Sequence, residues 1–319
     1  MNEKETPVIE VQDLKKYFST PHGMLHAVDD VTFTIERGKT LGVVGESGCG
    51  KSTLGRTIIH LHDATDGKVL LDGKDITHVK GKELKDAREK MQIIFQDPYS
   101  SLDPRKSIDS TIREPLIISK RYSKADVERK ADELMEVVGI DERLRRSYPH
   151  ELDGGRRQRV VIARALALEP EFIVCDEPVS ALDVSIQAQV LNLLKQLQIV
   201  KHLTYMFVTH DMSVVRHISD DICVMYLGQV VEKAPTKEIF DHPTHPYTQA
   251  LLSAIPTTDI HHPMKRQVIK GEITSPINPK PGCRFAARCP FAKEVCHQPM
   301  KQEEIAPGHF VTCARIHEI

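Results

Sequence analysis

Short runs of hydrophobic residues, separated by polar and charged stretches, are spaced along the chain as β-strands would be. The runs with strand character are Val8–Val11, Val31–Ile35, Thr40–Val44, Val69–Leu71, Gln92–Phe95, Phe172–Cys175, Tyr205–Val208 and Ile222–Met225. The stretches between the later runs have a helical composition. Because strands that alternate with helices form parallel sheets, the pattern predicts an α/β fold with a largely parallel sheet.

A mostly helical block, rich in Lys, Arg, Glu and Asp, interrupts the strand pattern between about residues 97 and 168. Within this block, Ser123 begins a segment that resembles a capping box and predicts a helix running to Val138. After about residue 240, frequent prolines predict a loop-rich tail. The expected organisation is one domain over residues 1–240, with a helical insertion at 97–168, and a small extension over residues 241–319.

The composition narrows the class of protein. Of the 319 residues, 40% are hydrophobic and 28% are charged, as in an ordinary soluble protein. The formal net charge of −2 gives no electrostatic reason to expect a nucleic-acid partner. No apolar run approaches the ~20 residues of a membrane-spanning helix, and the first residues lack the pattern of a signal peptide. We therefore expect a cytoplasmic protein that reaches a membrane only through partner proteins.

A glycine-rich segment between a predicted strand and a predicted helix has the spacing G-x-x-x-x-G-K-[ST] of a phosphate-binding loop. Glycines let backbone N–H groups surround phosphate oxygens at the positive end of a helix. Lys51 would add a charge for the β- and γ-phosphates, and the Ser52 hydroxyl would bind Mg²⁺. The alternative is a glycine-rich turn without a ligand. The candidate nucleotide-binding residues are Gly45, Glu46, Ser47, Gly48, Cys49, Gly50, Lys51, Ser52 and Thr53.

Two acidic residues follow the apolar strand Phe172–Cys175. An acid at the end of a buried strand is costly unless it meets a cation or a hydrogen-bonding partner. Asp176 is placed to hold Mg²⁺ through its water shell, and Glu177 to polarise an attacking water. The alternative is a solvated acidic turn, which is less favoured because the same chain also contains a predicted phosphate loop.

Further motifs follow in a fixed order. Gln96 ends a predicted strand, the segment Leu152–Arg159 precedes a helix, Ser180–Asp183 follows the acidic pair, and His210 lies in the sequence VTHD. Together with the phosphate loop, these segments resemble the ABC transporter ATPase family over about Val8–Phe240. The resemblance implies a P-loop NTPase (RecA-like) α/β core with an antiparallel β subdomain and a helical insertion. A small cysteine-containing C-terminal extension would follow this core.

In that family, two ATPase subunits bind two ATP molecules head to tail, each between the phosphate loop of one subunit and the signature of the other. The resemblance implies that Asp153, Gly154 and Gly155 of the signature contact the partner's nucleotide. It also implies that Phe18 stacks on adenine, with the neighbouring Tyr17 as the alternative.

The resemblance implies further roles in catalysis. His210 would contact the γ-phosphate and steady the water with Glu177, and Gln96 would sense Mg²⁺ and relay closure to the helical insertion. The implied catalytic residues are Lys51, Gln96, Glu177 and His210, and the implied Mg²⁺ ligands are Ser52, Gln96 and Asp176.

The signature departs from the family pattern. Asp153 stands where the family has Ser, and Arg156 where it has Gln. An ionised carboxylate cannot donate to a γ-phosphate oxygen and repels it, although Arg156 would offset part of that charge. Asp153 also suits the N-cap of the following helix, and both statements can hold together. We expect a heterodimer in which one of the two hydrolytic sites is weakened.

Several segments resemble the oligopeptide/dipeptide importers, and within them the second ATPase subunit type. They include GESGCGKSTLGRTII, FQDPYSSLDPR and HPTHPYTQALLSAIP. The resemblance implies two permease subunits, a second ATPase subunit and an extracytoplasmic peptide-binding protein. The alternatives are an importer of nickel or another small solute, a non-transport ABC ATPase, and a regulatory module that only binds ATP.

The tail carries four cysteines, Cys283, Cys289, Cys296 and Cys313. Four thiolates suit Zn²⁺ or an iron–sulfur cluster, but their spacing is typical of neither. The resemblance to peptide-importer ATPases implies a [4Fe–4S] cluster, with Zn²⁺ or unliganded thiols as alternatives.

Overall fold

The computed structural model describes residues 6–255, 269, 271 and 275–318. The strands are β1 Ile9–Thr20, β2 Gly23–Ile35, β3 Thr40–Val44, β4 Asp66–Leu71, β5 Lys74–Asp75, β6 Met91–Ile94, β7 Phe172–Asp176, β8 Thr204–Thr209, β9 Asp221–Tyr226, β10 Gln229–Pro235, β11 Glu303–Ala306 and β12 His309–Val311. The helices are α1 Lys51–Ile58, α2 Gly81–Lys90, α3 Ile108–Ser119, α4 Lys124–Val137, α5 Gly154–Leu166, α6 Val184–Lys201, α7 Met212–Ile218, α8 Thr236–Asp241 and α9 Pro246–Ser253.

The chain divides into two compact units. The first contains residues 1–8, 36–38 and 78–206, and the second contains residues 9–35, 39–77 and 207–319. The domain boundary expected near residue 240 stays a prediction. Parts of the expected extension, residues 256–268, 270, 272–274 and 319, lie outside the described residues.

The first unit contains the helical insertion and two parallel strands. β6 and β7 pair in parallel, with Met91 opposite Phe172, and every residue of β7 is buried. A strand buried on both faces has a continuous apolar sequence, which is the pattern that predicted it. The insertion contains α3, α4 and α5, and the Ser123 side chain caps α4 by accepting the N–H of Asp126 at 3.2 Å. The predicted helical block and the predicted helix start at Ser123 are confirmed.

An antiparallel sheet in the second unit is built on the long hairpin of β1 and β2, with β4 and β5 beside it. The two long strands pair from Ile9 opposite Ile35 to Thr20 opposite Gly23. The sequence pattern predicted only short strands here because a bulge interrupts β1. The register shifts after Val11, where Asp13 has a φ of 47°. Bulges break the two-residue alternation on which strand prediction depends.

The second unit also contains β3, which pairs in parallel with β9, and β10, which pairs antiparallel with β9. The tail contributes to this sheet, because β12 pairs with β10 and β11 with β12. The sequence predicted a tail of loops, and this hairpin was missed because β11 and β12 have only four and three residues. In the part of the chain that the structure describes, none of the helices combines the length and hydropathy needed to cross a bilayer.

A buried carboxylate joins β10 to the tail. Glu232 is 0% exposed and accepts the N–H groups of Thr244 at 2.8 Å and His245 at 2.9 Å. The Nε2 atom of His309, on β12, lies 2.8 Å from the same carboxylate. A buried carboxylate is tolerated only when such partners replace water. Thr244 and His245 therefore hold the start of α9 against β10, and His309 holds β12 there.

We expect His309→Ala to lower the free energy of unfolding by about 3 kcal/mol, because it removes one partner of a buried carboxylate. His317→Ala is the matched control, since His317 lies 3.0 Å from Glu303 in a pair whose side chains are 75% and 52% exposed. That variant should lose less than about 1 kcal/mol. Urea denaturation of both variants measures the difference, and equal losses would contradict the structural role of the buried pair.

Candidate functional site

The predicted phosphate loop connects β3 to α1 through three glycines with positive φ. These angles are 154° at Gly45, 78° at Gly48 and 106° at Gly50. A Cβ atom at Gly45 would lie 2.2 Å from the carbonyl oxygen of Met225, and one at Gly50 would lie 2.0 Å from that of Ala27. Only glycine fits these two positions, so the loop makes the tight turn that the phosphate-loop motif requires.

Lys51 begins α1 and lies over this loop. Its ammonium group donates to the carbonyl oxygens of Gly45 at 2.8 Å and Glu46 at 3.0 Å. The ammonium group is therefore buried and held by the backbone of the loop. Ser52 and Thr53 follow in the first turn of α1, the position that the motif requires.

Glu46 has partners that the sequence analysis did not identify. Its carboxylate receives two hydrogen bonds from Arg288, at 2.7 Å and 3.1 Å, and its backbone N–H donates to the Tyr247 hydroxyl at 2.8 Å. Arg288 also donates to the Tyr226 hydroxyl at 3.2 Å. These contacts span up to 242 residues of sequence, so no local pattern predicts them.

In the first unit, the structure brings Gln96 and Glu177 together. Asp176 is the last residue of β7 and is buried, and Glu177 follows it with a φ of 49°. The Gln96 amide nitrogen donates to the Glu177 carboxylate at 3.0 Å. A non-glycine residue in the left-handed region costs about 1–3 kcal/mol and is often found at functional positions. The hydrogen bond from Gln96 therefore holds the Glu177 carboxylate, whose backbone is in this unusual conformation.

Asp153 is the N-cap of α5. Its side chain accepts the N–H of Arg156 at 2.7 Å, and the Arg156 Nε atom lies 3.5 Å from the second carboxylate oxygen. The N-cap alternative is thus confirmed, and Arg156 pairs with the substituted residue. Packing leaves little room for a side chain at Gly155, since a Cβ atom there would lie 2.6 Å from the Ile186 side chain.

The two aromatic candidates for adenine have different surroundings. Tyr17 stacks on His26 with ring centroids 3.9 Å apart, and its hydroxyl donates to Asp29. Burial and this hydrogen bond raise the pKa of Tyr17 above its usual value. Phe18, the next residue of β1, has the Lys16 ammonium 4.8 Å from its ring centroid. Because neighbouring residues of a strand face opposite ways, only one of the two rings can meet a given ligand.

The predicted site residues are divided between the two units. Lys51, Phe18 and His210, which directly follows β8, belong to the second unit, whereas Gln96, Asp153, Asp176 and Glu177 belong to the first. The roles assigned to these residues stay predictions.

The four tail cysteines line one cavity of about 10 Å³ beside His245. They are Cys283, Cys289, Cys296 and Cys313, and all are free thiols. Burial raises the pKa of Cys283 to about 12 and also raises the pKa values of Cys289 and Cys313. Such a volume suits a single water molecule. Across residues 6–255 and 275–318, no group of three or more His, Cys, Asp or Glu side chains is arranged to hold a metal ion. The donor chemistry suits a soft metal, but four side chains packed around so small a cavity do not form a ready metal site.

Comparisons with known families and proteins agree with this geometry. The family model described as "ABC transporter" matches residues 28–180, and the one described as "Oligopeptide/dipeptide transporter, C-terminal region" matches residues 231–296. The oligopeptide transport ATP-binding protein AppF of Bacillus subtilis is 50% identical over 317 residues, which cover 96% of each chain. The oligopeptide transport ATP-binding protein OppF of Salmonella typhimurium is 48% identical and 98% of each chain is covered.

Solved structures confirm the predicted α/β cassette fold. The ATP-binding cassette MJ0796, a dimer bound to ADP and Pi after hydrolysis, has a TM-score of 0.66 and 30% identity, covering 72% of this chain and 98% of its own. The protein cbiO1 from Clostridium perfringens, part of the transporter complex cbiONQ, has a TM-score of 0.68 and 28% identity, covering 75% of this chain and 92% of its own. With half of its residues identical to AppF over nearly the full length, the chain belongs to the ATP-binding proteins of the ABC transporter family, in their oligopeptide-transport group.

Proposed function

We propose that this chain hydrolyses ATP to energise the import of oligopeptides or dipeptides, as a peripheral subunit at the cytoplasmic face of the cell membrane. The observation that carries this proposal is the similarity to oligopeptide-transport subunits over 96% of the chain, including the tail region beyond the ATP-binding cassette. A non-transport ABC ATPase has no need of such a tail. An importer of nickel or another small solute is the second candidate, because the transported solute does not touch the ATPase.

The proposed hydrolysis follows from the charges of the two sets of site residues. The glycine loop and Lys51 would bind the phosphates, with the ammonium exchanging its two carbonyl partners for phosphate oxygens. Mg²⁺, held by Ser52, Asp176 and Gln96, would neutralise charge on the phosphates. Glu177 would accept a proton from the attacking water, in the orientation that Gln96 gives it. His210 would contact the γ-phosphate.

We expect Glu177→Gln to reduce ATP hydrolysis roughly 10²–10⁴-fold while ATP still binds, because the amide cannot accept the proton of the attacking water. The measurement is phosphate release by the chain assembled with its candidate partner ATPase and permease subunits. Glu171→Gln is the matched control in the same unit, since Glu171 is already paired with Arg37 at 3.0 Å and Lys90 at 2.7 Å. Full activity of the Glu177 variant would contradict the assigned role.

The signature supports a heterodimer with a second ATPase subunit. In the dimer expected for the family, Asp153 would face the nucleotide on the partner's phosphate loop. The Arg156 guanidinium lies 3.5 Å from one Asp153 oxygen, so it compensates the negative charge only in part. The remaining repulsion would weaken hydrolysis at the partner's site, whereas the site on the phosphate loop of this chain would use an intact signature.

Asp153→Ser should raise hydrolysis by the assembled heterodimer about tenfold at the partner's site, equivalent to about 1.4 kcal/mol. Serine retains the N-cap, so the helix start is preserved and the change isolates the charge and the hydroxyl donor. Asp153→Asn is the matched control, because it removes the charge without supplying the hydroxyl. The assay pairs each variant with a partner whose own catalytic glutamate is intact, and no gain from serine would contradict the weakened site.

Two permease subunits and an extracytoplasmic peptide-binding protein would complete the importer. A groove of about 430 Å³ in the first unit supports docking of a permease, because Leu84 of α2 and Ile118 of α3 line it. Ile117 and Ile118 are 60% and 62% exposed. Neighbouring apolar side chains left in water on a helix are typical of a protein-binding surface.

We also propose that the four tail cysteines bind a [4Fe–4S] cluster, with Zn²⁺ as the alternative. The support is that all four thiols line one cavity and that thiolates are the preferred ligands of both. The cavity has room for about one water molecule, so metal binding would require the four cysteine side chains to move apart and to bind as thiolates.

Anaerobic reconstitution of the full chain with iron and sulfide should give iron and inorganic sulfide in equal amounts, with a visible charge-transfer absorption. Replacing Cys289 and Cys313 with serine should abolish both signals, whereas Cys223→Ser, a cysteine buried in β9, should retain them. Zinc retained in place of iron would favour the alternative. A full chain that binds neither metal would contradict both forms of the proposal.

A further inference from the structure

A segment of the tail lies directly against the phosphate loop. This segment, Cys283–Cys289, is called the arginine segment because it carries Arg284 and Arg288. The Arg288 guanidinium binds the Glu46 carboxylate with two parallel hydrogen bonds, at 2.7 Å and 3.1 Å. The Arg288 side chain is 9% exposed and that of Glu46 is 25% exposed. A two-bond pair with this much shielding from water fixes position more strongly than an ordinary surface ion pair.

The second arginine of the segment, Arg284, contacts a turn that is hydrogen-bonded to the phosphate loop. Arg284 donates to the carbonyl oxygen of Leu227 and to the carboxylate of Asp29. The residue after Leu227, Gly228, donates its N–H to the carbonyl oxygen of Cys49 at 2.7 Å. Arg284 thus holds the turn at Leu227–Gly228, and this turn is hydrogen-bonded to the phosphate loop.

Aromatic packing fixes the arginine segment in place. Phe285 is buried, with its ring centroid 5.2 Å from that of Tyr226 and 5.3 Å from that of Tyr247. The Tyr247 hydroxyl accepts the N–H of Glu46 at 2.8 Å. The backbone of Glu46 is therefore fixed by the same aromatic cluster that holds the arginine segment.

The charge of Glu46 makes these contacts relevant to nucleotide binding. A carboxylate within a loop that binds a triphosphate repels it, and the repulsion over several ångströms is appreciable where water is partly excluded. The pairing with Glu46 also raises the pKa of Arg288 above its usual value, so the guanidinium stays charged. As long as Arg288 is in place, the loop presents Lys51 and its backbone N–H groups without an opposing negative charge.

We propose that Arg288 is a positioning residue for ATP binding, through which the arginine segment of the tail sets the affinity of the phosphate loop. The guanidinium compensates the Glu46 carboxylate and holds the loop in its anion-binding conformation. This inference rests on the proposed ATP-binding function of the loop. Because coupling between sites is reciprocal, bound nucleotide should also stabilise the arginine segment.

The test is the dissociation constant for MgATP, measured by isothermal titration calorimetry on the full chain. Arg288→Ala should weaken binding about tenfold, the equivalent of about 1.4 kcal/mol, and Arg288→Lys should lie between this variant and the wild type. The double variant Arg288→Ala/Glu46→Gln should recover most of the lost affinity, because the uncompensated charge is gone. Lys293→Ala is the matched control, since Lys293 pairs with Glu318 within the tail at 3.2 Å, and it should bind as the wild type does.

The outcomes separate this inference from the proposed function. A wild-type chain that does not bind MgATP would overturn the proposed function. If the wild type binds but Arg288→Ala binds equally well, or the double variant is no better than the single one, the inference fails while the function stands. Hydrogen exchange gives a second measurement. MgATP should slow exchange of the backbone amides of the arginine segment in the wild type and not in Arg288→Ala.

Discussion

The close approach of the phosphate loop to two neighbouring backbones is the constraint on which the rest of the second unit depends. A carbonyl oxygen of β9 and another of β2 occupy the space that side chains at Gly45 and Gly50 would need. The loop can present its N–H groups only if β9, the β1–β2 hairpin and the turn at Gly228 all keep their places. The β1–β2 hairpin belongs to an antiparallel sheet that is separate in sequence from the phosphate loop. It nevertheless supports the nucleotide site, because its backbone contacts this loop.

Local signals account for the parts of the molecule that the sequence predicted well. The phosphate loop, the acidic residues after β7 and the cap at Ser123 each depend on a few consecutive residues whose backbone geometry allows little choice. The full lengths of β1 and β2 were not predictable, because the bulge near Asp13 breaks the alternation. The tail hairpin was missed for a different reason, since β12 is three residues long and is defined by its pairing with β10.

In the candidate site, too, residues with a local sequence signal could be predicted, whereas contacts between distant residues could not. Spacing predicted Lys51, Asp176 and Glu177 as site residues, because each one directly adjoins a strand or helix end. It could not identify Arg288 or Tyr247 as partners of Glu46, because an arginine between cysteines has no local pattern that indicates its partner 242 residues away. For Asp153, the sequence predicted both a helix N-cap and repulsion of the partner's nucleotide. The structure confirms the N-cap. The repulsion stays a prediction, because it involves a second subunit.

Ion pairs and buried aromatic packing together attach the tail to the rest of the second unit. Among its described residues, Tyr247, Phe285 and Val311 are buried. Its polar contacts with earlier strands and loops include the ion pairs Glu46–Arg288, Asp29–Arg284 and Glu232–His309. Apolar packing tolerates small shifts, whereas a shielded ion pair loses much of its energy when one partner moves or is removed. If Arg288 has the proposed positioning role, a rearrangement of the cysteines at either end of the arginine segment would also shift the arginines that reach the phosphate loop. In this proposal the small tail works as part of the nucleotide-binding unit, because its charged side chains lie against the phosphate loop.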